Sequence, residues 1–423
     1  MKLRGTPGSA LTATTLGFFF GFAAVALYGP TAIHFRDAME LTPVMVGFLI
    51  AIPSLSGSLL RIPFGAWVET TGGKMPFLIL MSVSVLGLGG ITLLLFTSYP
   101  DDMSGLYWLV LLFGFMSGCG IATFSVGIGQ TSYWFPRKKQ GIALGAFGGL
   151  GNLAPGIFSM VLPLFLVHYG FISAYLAWFI FLLSGTILYA ITGVNAYYFQ
   201  YRRRGLPVGE AVNLAREKGQ EIFPSGNLKD SLVNSARVKN TWALVILYFT
   251  TFGGFIALTA WFPIYWSEFQ HLTIVSAGLL TALFSILASL VRVIGGRVAD
   301  KFGGERVAMV SMLTILIAAG GLSISDNIIS GIILAILLAT GMGNANAAIF
   351  KLVPMYVPNA VGGAAGWVGG LGAFGGFVIP PLMGAIAEQS GTIGYALGFL
   401  VFVALAAMNI LIIHMLMKSR IRQ

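Results

Sequence analysis

Charge is what this sequence has least of. Only 9% of its 423 residues are charged and only 14 are acidic, where an ordinary soluble domain carries about a quarter charged residues. With 57% hydrophobic residues and a mean hydropathy of +0.88, the composition excludes a soluble globular protein. The single cysteine, Cys119, lies inside an apolar run, which excludes an intrachain disulfide and leaves the redox compartment unspecified. No zinc motif, nucleotide loop or Ser/His/Asp constellation is present. G-x-G-x-x-G matches in a chain with 56 glycines carry no weight without a strand before them. A membrane enzyme is therefore disfavoured, and no cofactor or metal is expected. The first apolar run lacks a small-residue cleavage site and is long enough to span, so it reads as a membrane helix and not as a signal peptide.

What is present is a series of apolar runs. A spanning helix needs about 20 mostly apolar residues, and twelve such runs fall at 11–33, 44–66, 75–98, 106–132, 140–167, 171–198, 240–267, 273–299, 306–324, 327–354, 360–387 and 392–417. They are numbered spans 1 to 12. The net charge of +10 could belong to a nucleic-acid binder, but its distribution argues for topology instead. With the N-terminus cytoplasmic, twenty of the 24 Lys and Arg fall in the tails and even-numbered loops, from Lys2 and Arg4 through Lys74 and Arg137–Lys139 to Lys418, Arg420 and Arg422. Arg36 alone lies on the other side. That asymmetry is the positive-inside pattern and places both termini in the cytoplasm. The expected partners are the lipid bilayer and a small solute, not nucleic acid.

The one long polar segment, 201–239, separates an N-terminal six-helix bundle (1–200) from a C-terminal one (240–423). It reads as a cytoplasmic linker with a short amphipathic helix around 209–219. Its Arg202-Arg203-Arg204 run is an orientation anchor near anionic headgroups. Two internal repeats relate the halves. Arg61 to Lys74 (RIPFGAWVETTGGK) and Arg292 to Glu305 (RVIGGRVADKFGGE) share an Arg, a Gly four residues on, an acid eight on (Glu69, Asp300) and a Gly-Gly pair, at an offset of 231. GAFGGLGN (Gly145–Asn152) and GWVGGLGA (Gly366–Ala373) repeat at an offset of 221. Parallel repeats of six helices build one large class of transporters, with the substrate near the midplane between the halves. Gly costs about 1 kcal/mol against Ala in a helix. The glycine runs of spans 5 and 11, with Gly145, Gly148, Gly151, Gly369 and Gly372, therefore imply close backbone packing, a surface on which one half slides past the other, or approach of backbone to an ion.

Arg61 and Arg292 each end an apolar run that contains no acid. Arg61 sits about 12 Å inside the helix end near Glu69, at 1.5 Å per residue, and an Arg at mid-membrane is charged about 2.5–3.5 kcal/mol. Two such cations at matching depth, one per half, imply an anion between them, because a guanidinium offers a planar fork to a planar oxyanion. Snorkelling to the headgroups is the alternative. No Asp or Glu lies within a span, and His34, His168, His271 and His414 lie near ends, which favours anion exchange over proton symport. Glu69 and Asp300 are expected to act as conformational latches, with Arg137, Lys138, Lys139, Arg297 and Arg306 as nearby basic partners. Lys351 is a third embedded cation, either snorkelling or serving as a side gate or secondary anion contact. Tyr248 and Phe252, four apart, share one helix face.

These motifs resemble the nitrate/nitrite porters of the major facilitator superfamily. The similarity is carried by PSLSGSLLRIP (Pro53–Pro63), FPRKKQGIALGAFGGLGNL (Phe135–Leu153), LYFTTFGGFI (Leu247–Ile256), RVIGGRVADKFGG (Arg292–Gly304) and GAFGGFVIP (Gly372–Pro380). The resemblance implies an all-α membrane protein of twelve helices in two pseudo-symmetric bundles. It implies that Arg61 and Arg292 bind the anion, that Asn152 and Tyr248 hydrogen-bond it, and that Phe124 and Phe252 stack on its two faces. Gly148 and Gly369 would allow close approach. Phe20 or Phe22 of span 1 would line the site. Lys351 and Pro155 depart from the family pattern.

The expectation is thus a monomeric inner-membrane carrier of nitrate, with nitrite as counter-substrate, working by rocker-switch alternating access. Proton-coupled nitrate symport, a carrier of the same fold for formate or oxalate, and an anion channel are the alternatives.

Overall fold

Helix starts are set by side-chain caps. Thr6, Thr42 and Thr273 each accept a hydrogen bond from the backbone N–H three residues on, and Asn327 accepts from Ile329 and Ser330. Pro7 and Pro43 take the first helical position, where a missing N–H leaves nothing unpaired. The structure, a computed structural model, describes residues 3–224 and 228–421, with backbone alone at 137, 228–229 and 419–421.

Among the described residues, twelve helices are long and apolar enough to cross a membrane: Pro7–Met39, Pro43–Thr71, Lys74–Ser98, Tyr107–Trp134, Gln140–Tyr169, Phe171–Thr192, Lys239–Phe269, Ile274–Phe302, Gly304–Ile324, Ile328–Tyr356, Pro358–Leu397 and Leu400–Lys418. Each corresponds to one expected span, and no strand occurs among the described residues. The Gly-Gly pairs of the first repeat act as helix terminators. Gly72 and Gly303, at φ +78° and +91°, end spans 2 and 8 in a region that residues with a Cβ rarely adopt.

Several spans are interrupted. Span 2 breaks at Leu60, just before Arg61. Span 5 breaks at Asn152–Leu153, where Pro155 has no N–H to offer the Gly151 carbonyl, and span 11 breaks at 372–374, the matching place in the second repeat. Span 7 carries a π-helical turn over Phe249–Gly253, a form that concentrates at functional sites.

Span 6 ends at Thr192, short of the expected 198. Residues beyond it leave the helix so that the Asn195 amide can accept from Lys74 N at 2.8 Å and donate to Thr71 O at 3.0 Å, bracing the turn between spans 2 and 3. In the linker, the expected amphipathic helix is Val208–Glu217, which buries Ala211 and Ala215 against Tyr201. A further helix, Leu228–Ala236, was not anticipated. It docks on span 11 through Ser231 Oγ, which accepts from Gly363 N, and Leu232 O, which accepts from the Trp367 indole.

The two ends of the molecule differ in how the first six spans meet the last six. At the end remote from the termini they are in contact. Arg36 of span 1 pairs with Glu268 of span 7 at 2.9 Å, and Val44 N of span 2 donates to Glu388 of span 11 at 3.2 Å. A Cβ built on Gly47 would lie 2.8 Å from Pro380 O. Toward the termini, spans 5 and 8 diverge. A Cβ on Gly156 would meet Ile286 at 2.7 Å and one on Gly149 would meet Val293 at 3.3 Å, whereas Gly145 and Gly141 would meet nothing within 4 Å. The gap between these spans is a wedge that opens toward the end bearing both termini.

Candidate functional site

Two polar cations in the middle of an apolar bundle must be paid for by their surroundings, and aromatic faces and carbonyls supply what carboxylates do not. Arg61 is 2% exposed. Its Nε donates to Gly57 O at 3.0 Å, one turn back on its own span, and its Nη1 donates to Gly369 O of span 11, also at 3.0 Å. The second bond crosses from one half of the chain to the other. Nη2 is buried with no hydrogen-bond partner. The guanidinium carbon lies 4.9 Å from the centroid of Phe124 and 5.2 Å from that of Phe252.

Arg292, half-buried on span 8, reaches the same aromatic ring from the other half. Its guanidinium carbon is 5.3 Å from the Phe252 centroid and 5.9 Å from that of Phe350, and its Nη1 is buried and unpartnered. The two guanidiniums are therefore no farther apart than the sum of their distances to Phe252. Neither makes an ion pair among the described residues.

The other polar groups expected here are unsatisfied as well. The Tyr248 hydroxyl, fully buried and within electrostatic range of both guanidiniums, makes no well-aligned hydrogen bond, although the Arg292 guanidinium lies within reach of it. Asn152 Oδ1 is also unpartnered, while the Asn152 carbonyl, freed by the break in span 5, accepts from Ser289 Oγ of span 8 at 3.1 Å. A buried polar atom left without a partner costs about 1–3 kcal/mol. The unpaired guanidinium donors beside the Phe252 ring form a site poised for a polar guest.

The rings define its shape. Phe124 and Phe252 face each other at 6.3 Å and 30°. The π-helical turn brings Tyr248 and Phe252 into a stack at 5.0 Å and 14°. Of the two span 1 candidates, Phe22 belongs here, parallel to Phe252 at 6.4 Å and 3°, whereas Phe20 packs on Phe181 away from the cations. The arginines are thus flanked by aromatic side chains.

The glycines divide by role. A Cβ on Gly148 would come to 3.8 Å from Phe124, and Gly369 supplies the carbonyl that holds Arg61. Gly151 lies directly against the Phe18 ring. Gly372 lies against Tyr248, where a Cβ would come to 2.7 Å from the ring. Gly145 touches nothing and faces the wedge.

The acids expected as latches differ from expectation in their partners. Asp300 pairs with Lys351 Nζ at 2.8 Å, and Lys351 also donates to Ala299 O at 2.8 Å. The partner is thus on span 10 of the same half, and Lys351 is held against the end of span 8. Lys351 is long enough to reach down its helix to the exposed Asp300, and nothing brings Lys138, Lys139, Arg297 or Arg306 closer. Arg137 lies outside the described side chains. Glu69, the equivalent of Asp300, makes no ion pair among the described residues, and its Oε2 is buried without a hydrogen bond.

One residue beside the cations, and a buried Asn one turn from it, were missed from sequence. Phe350 stands edge-on to Tyr248 at 4.9 Å, under Arg292. Asn346, one turn before it on span 10, is 2% exposed with Oδ1 unpartnered. An Asn within an apolar run four residues from a Phe was the available signal.

Comparison with known proteins agrees with this architecture. The family model described as Major Facilitator Superfamily matches residues 14–345 and 271–421. The chain is 29% identical, over 97% of its length and 91% of the relative's, to a protein of Thermus thermophilus named probable nitrate/nitrite antiporter NarK1. It is 28% identical to the probable nitrate transporter NarT of Staphylococcus epidermidis, covering 97% of each chain, and 27% identical to the nitrite extrusion protein of Bacillus subtilis, covering 97% and 95%. The xylose transporter XylE of E. coli, in a partially occluded inward-open conformation, superposes with a TM-score of 0.72 at 13% identity, over 96% of this chain and 98% of XylE. That likeness is one of fold. This is a multi-pass membrane protein that belongs to the Major Facilitator Superfamily, and within it the chain's curated relatives are nitrate and nitrite transporters.

Proposed function

We propose that the protein is a secondary active transporter that carries nitrate across the cytoplasmic membrane, with nitrite as counter-substrate, by alternating access. The observation that carries this reading is the pair of unneutralised guanidiniums sharing the Phe252 ring, each with a buried free N–H. Two unit charges no farther apart than the sum of their 5.2 and 5.3 Å distances to Phe252 repel by at least ~1.6 kcal/mol at an effective dielectric of ~20. An anion arriving between them removes that repulsion, accepts the free donors of Arg61 Nη2 and Arg292 Nη1, and takes a hydrogen bond from the Tyr248 hydroxyl. The Asn152 amide offers a further donor.

The aromatic walls favour a flat guest. Carbon atoms in contact sit about 3.5–4 Å apart, so an anion sandwiched between two rings needs a separation of about 7–8 Å. Phe124 and Phe252 stand at 6.3 Å, and a parting of ~1 Å admits a planar ion while excluding a tetrahedral one.

The two bundles, 1–200 and 240–423, joined by 201–239, rock about this site. Placing the basic end in the cytoplasm makes the wedge between spans 5 and 8 a cytoplasmic opening and the Arg36–Glu268 contact a closed outer gate. In the opposite state the gate parts and the Gly145 face of span 5 closes on span 8. One chain holds a complete site, so a monomer suffices.

Counterflow tests the reading. Proteoliposomes loaded with nitrite are expected to accumulate external labelled nitrate without a pH gradient, and formate and oxalate are expected to compete less well than nitrite. Uptake that needs an imposed proton gradient would replace exchange with symport, and a carboxylate that outcompetes nitrite would change the substrate. Single-channel conductance in a planar bilayer would sink the carrier altogether.

A further inference from the structure

The triple-arginine run of the linker does not act as one surface. Arg202 turns back, its Nη1 donating to Leu206 O at 2.6 Å. Arg203 and Arg204 instead join Arg4 and Lys74 around a cavity of about 510 Å³ at the end bearing the termini. These four cations come from three distant segments of chain: the N-terminal segment before span 1, the start of span 3 and the linker. No acidic residue lines the cavity.

The frame that gathers them is well tied. Gln200 accepts from Arg4 N at 3.0 Å and donates to Arg4 O at 2.8 Å, pinning the N-terminal segment to the linker helix Tyr197–Arg203. Asn195 fixes Lys74 from its backbone side, while Lys74 Nζ spends one of its three donors on Ala190 O at 2.7 Å. Lys74 feels the positive charge of both Arg4 and Arg203. Like charges gathered on a braced frame with no acid among them repel one another, and an anion relieves that repulsion. The mouth of the cavity is bounded by Ile191, 74% exposed at the end of span 6, which gives an apolar wall leading from the charges down the membrane-facing side of the helix.

We propose that this cavity is a seat for a phosphate group, and that the apolar wall at Ile191 makes an anionic phospholipid headgroup its occupant. Basic pockets at the cytoplasmic ends of membrane helices hold such headgroups. The site is separate from the arginine pair at mid-membrane and does not depend on what that pair transports.

Native mass spectrometry of the full-length protein in a mild detergent, titrated with phosphatidylglycerol, phosphatidylcholine or inorganic phosphate, tests the assignment. One phosphatidylglycerol is expected to bind in preference to phosphatidylcholine. Each of Lys74→Gln, Arg203→Gln and Arg204→Gln is expected to weaken it about fivefold, equivalent to ~1 kcal/mol per cation at an anionic surface, and the triple variant about a hundredfold. Arg202→Gln, outside the cavity, is expected to leave binding unchanged. Saturable binding of inorganic phosphate, lost in the same variants and without a lipid preference, would keep the seat and assign it to the free ion. Equal binding of phosphatidylcholine, an unaffected triple variant, or equal loss in Arg202→Gln would overturn the proposal. Should the triple variant fail to fold, the single variants carry the same comparison.

Discussion

Replacing Arg61 by Lys keeps the charge and removes the fork, so it isolates geometry from electrostatics. In the wild type the guanidinium divides its donors three ways: Nε to Gly57 O, Nη1 to Gly369 O, and Nη2 free and buried. A lysine ammonium is a single, strongly hydrated point at the end of a flexible stem. It can satisfy the two carbonyls or reach toward the anion, but it cannot present the same three directions at once. Losing one charge-assisted hydrogen bond to the anion is worth about 1.5–3 kcal/mol, or roughly 10- to 150-fold in affinity. The Gly369 bond, the one of the two that crosses between the halves, is put at risk as well. Nitrate counterflow in proteoliposomes is therefore expected to show KM raised at least tenfold and little residual flux at ordinary substrate levels, with normal expression and thermal stability. Arg292→Lys is expected to behave alike. Wild-type KM and flux in either variant would refute the claim that directed donors, and not positive charge alone, hold the substrate.

Three other outcomes follow from the geometry. Gly145→Leu places a side chain in the open wedge, so thermal stability should hold while counterflow falls at least tenfold; full transport would mean that span 5 never closes on span 8 there. Lys351→Gln breaks a partly exposed ion pair with Asp300, a class of contact worth about 0–1 kcal/mol, so unfolding should shift by no more than that and the KM for nitrate should not change; a tenfold rise in KM would put Lys351 at the anion after all. Arg36→Glu should depress exchange by setting like charges against each other at the outer gate, and Arg36→Glu combined with Glu268→Arg should restore it; failure of the double reversal to recover flux would remove this pair from the transport cycle.

The sequence alone determined the twelve spans, their two-fold repeat and the two arginines, because each is a local property of the chain: the length of an apolar run, the recurrence of a motif, a cation where the membrane tolerates none. The repeated glycine signatures were legible as places of close backbone approach, but the breaks in spans 5 and 11 at those signatures appeared only in the structure. What needed tertiary structure were the contacts between residues far apart in the chain. Asp300 found Lys351 because spans 8 and 10 lie side by side, and Arg36 found Glu268 because spans 1 and 7 meet across the halves. Phe22, not Phe20, faces Phe252, a choice between neighbours two residues apart that depends on which face of span 1 is turned inward. Phe350 sits beneath Arg292 by the packing of span 10, and the Asn346–Phe350 spacing in the sequence gives no partner for either. A one-dimensional pattern records burial and breaks along a helix, whereas rotation of each helix and the choice of its neighbours are fixed only when all twelve pack together.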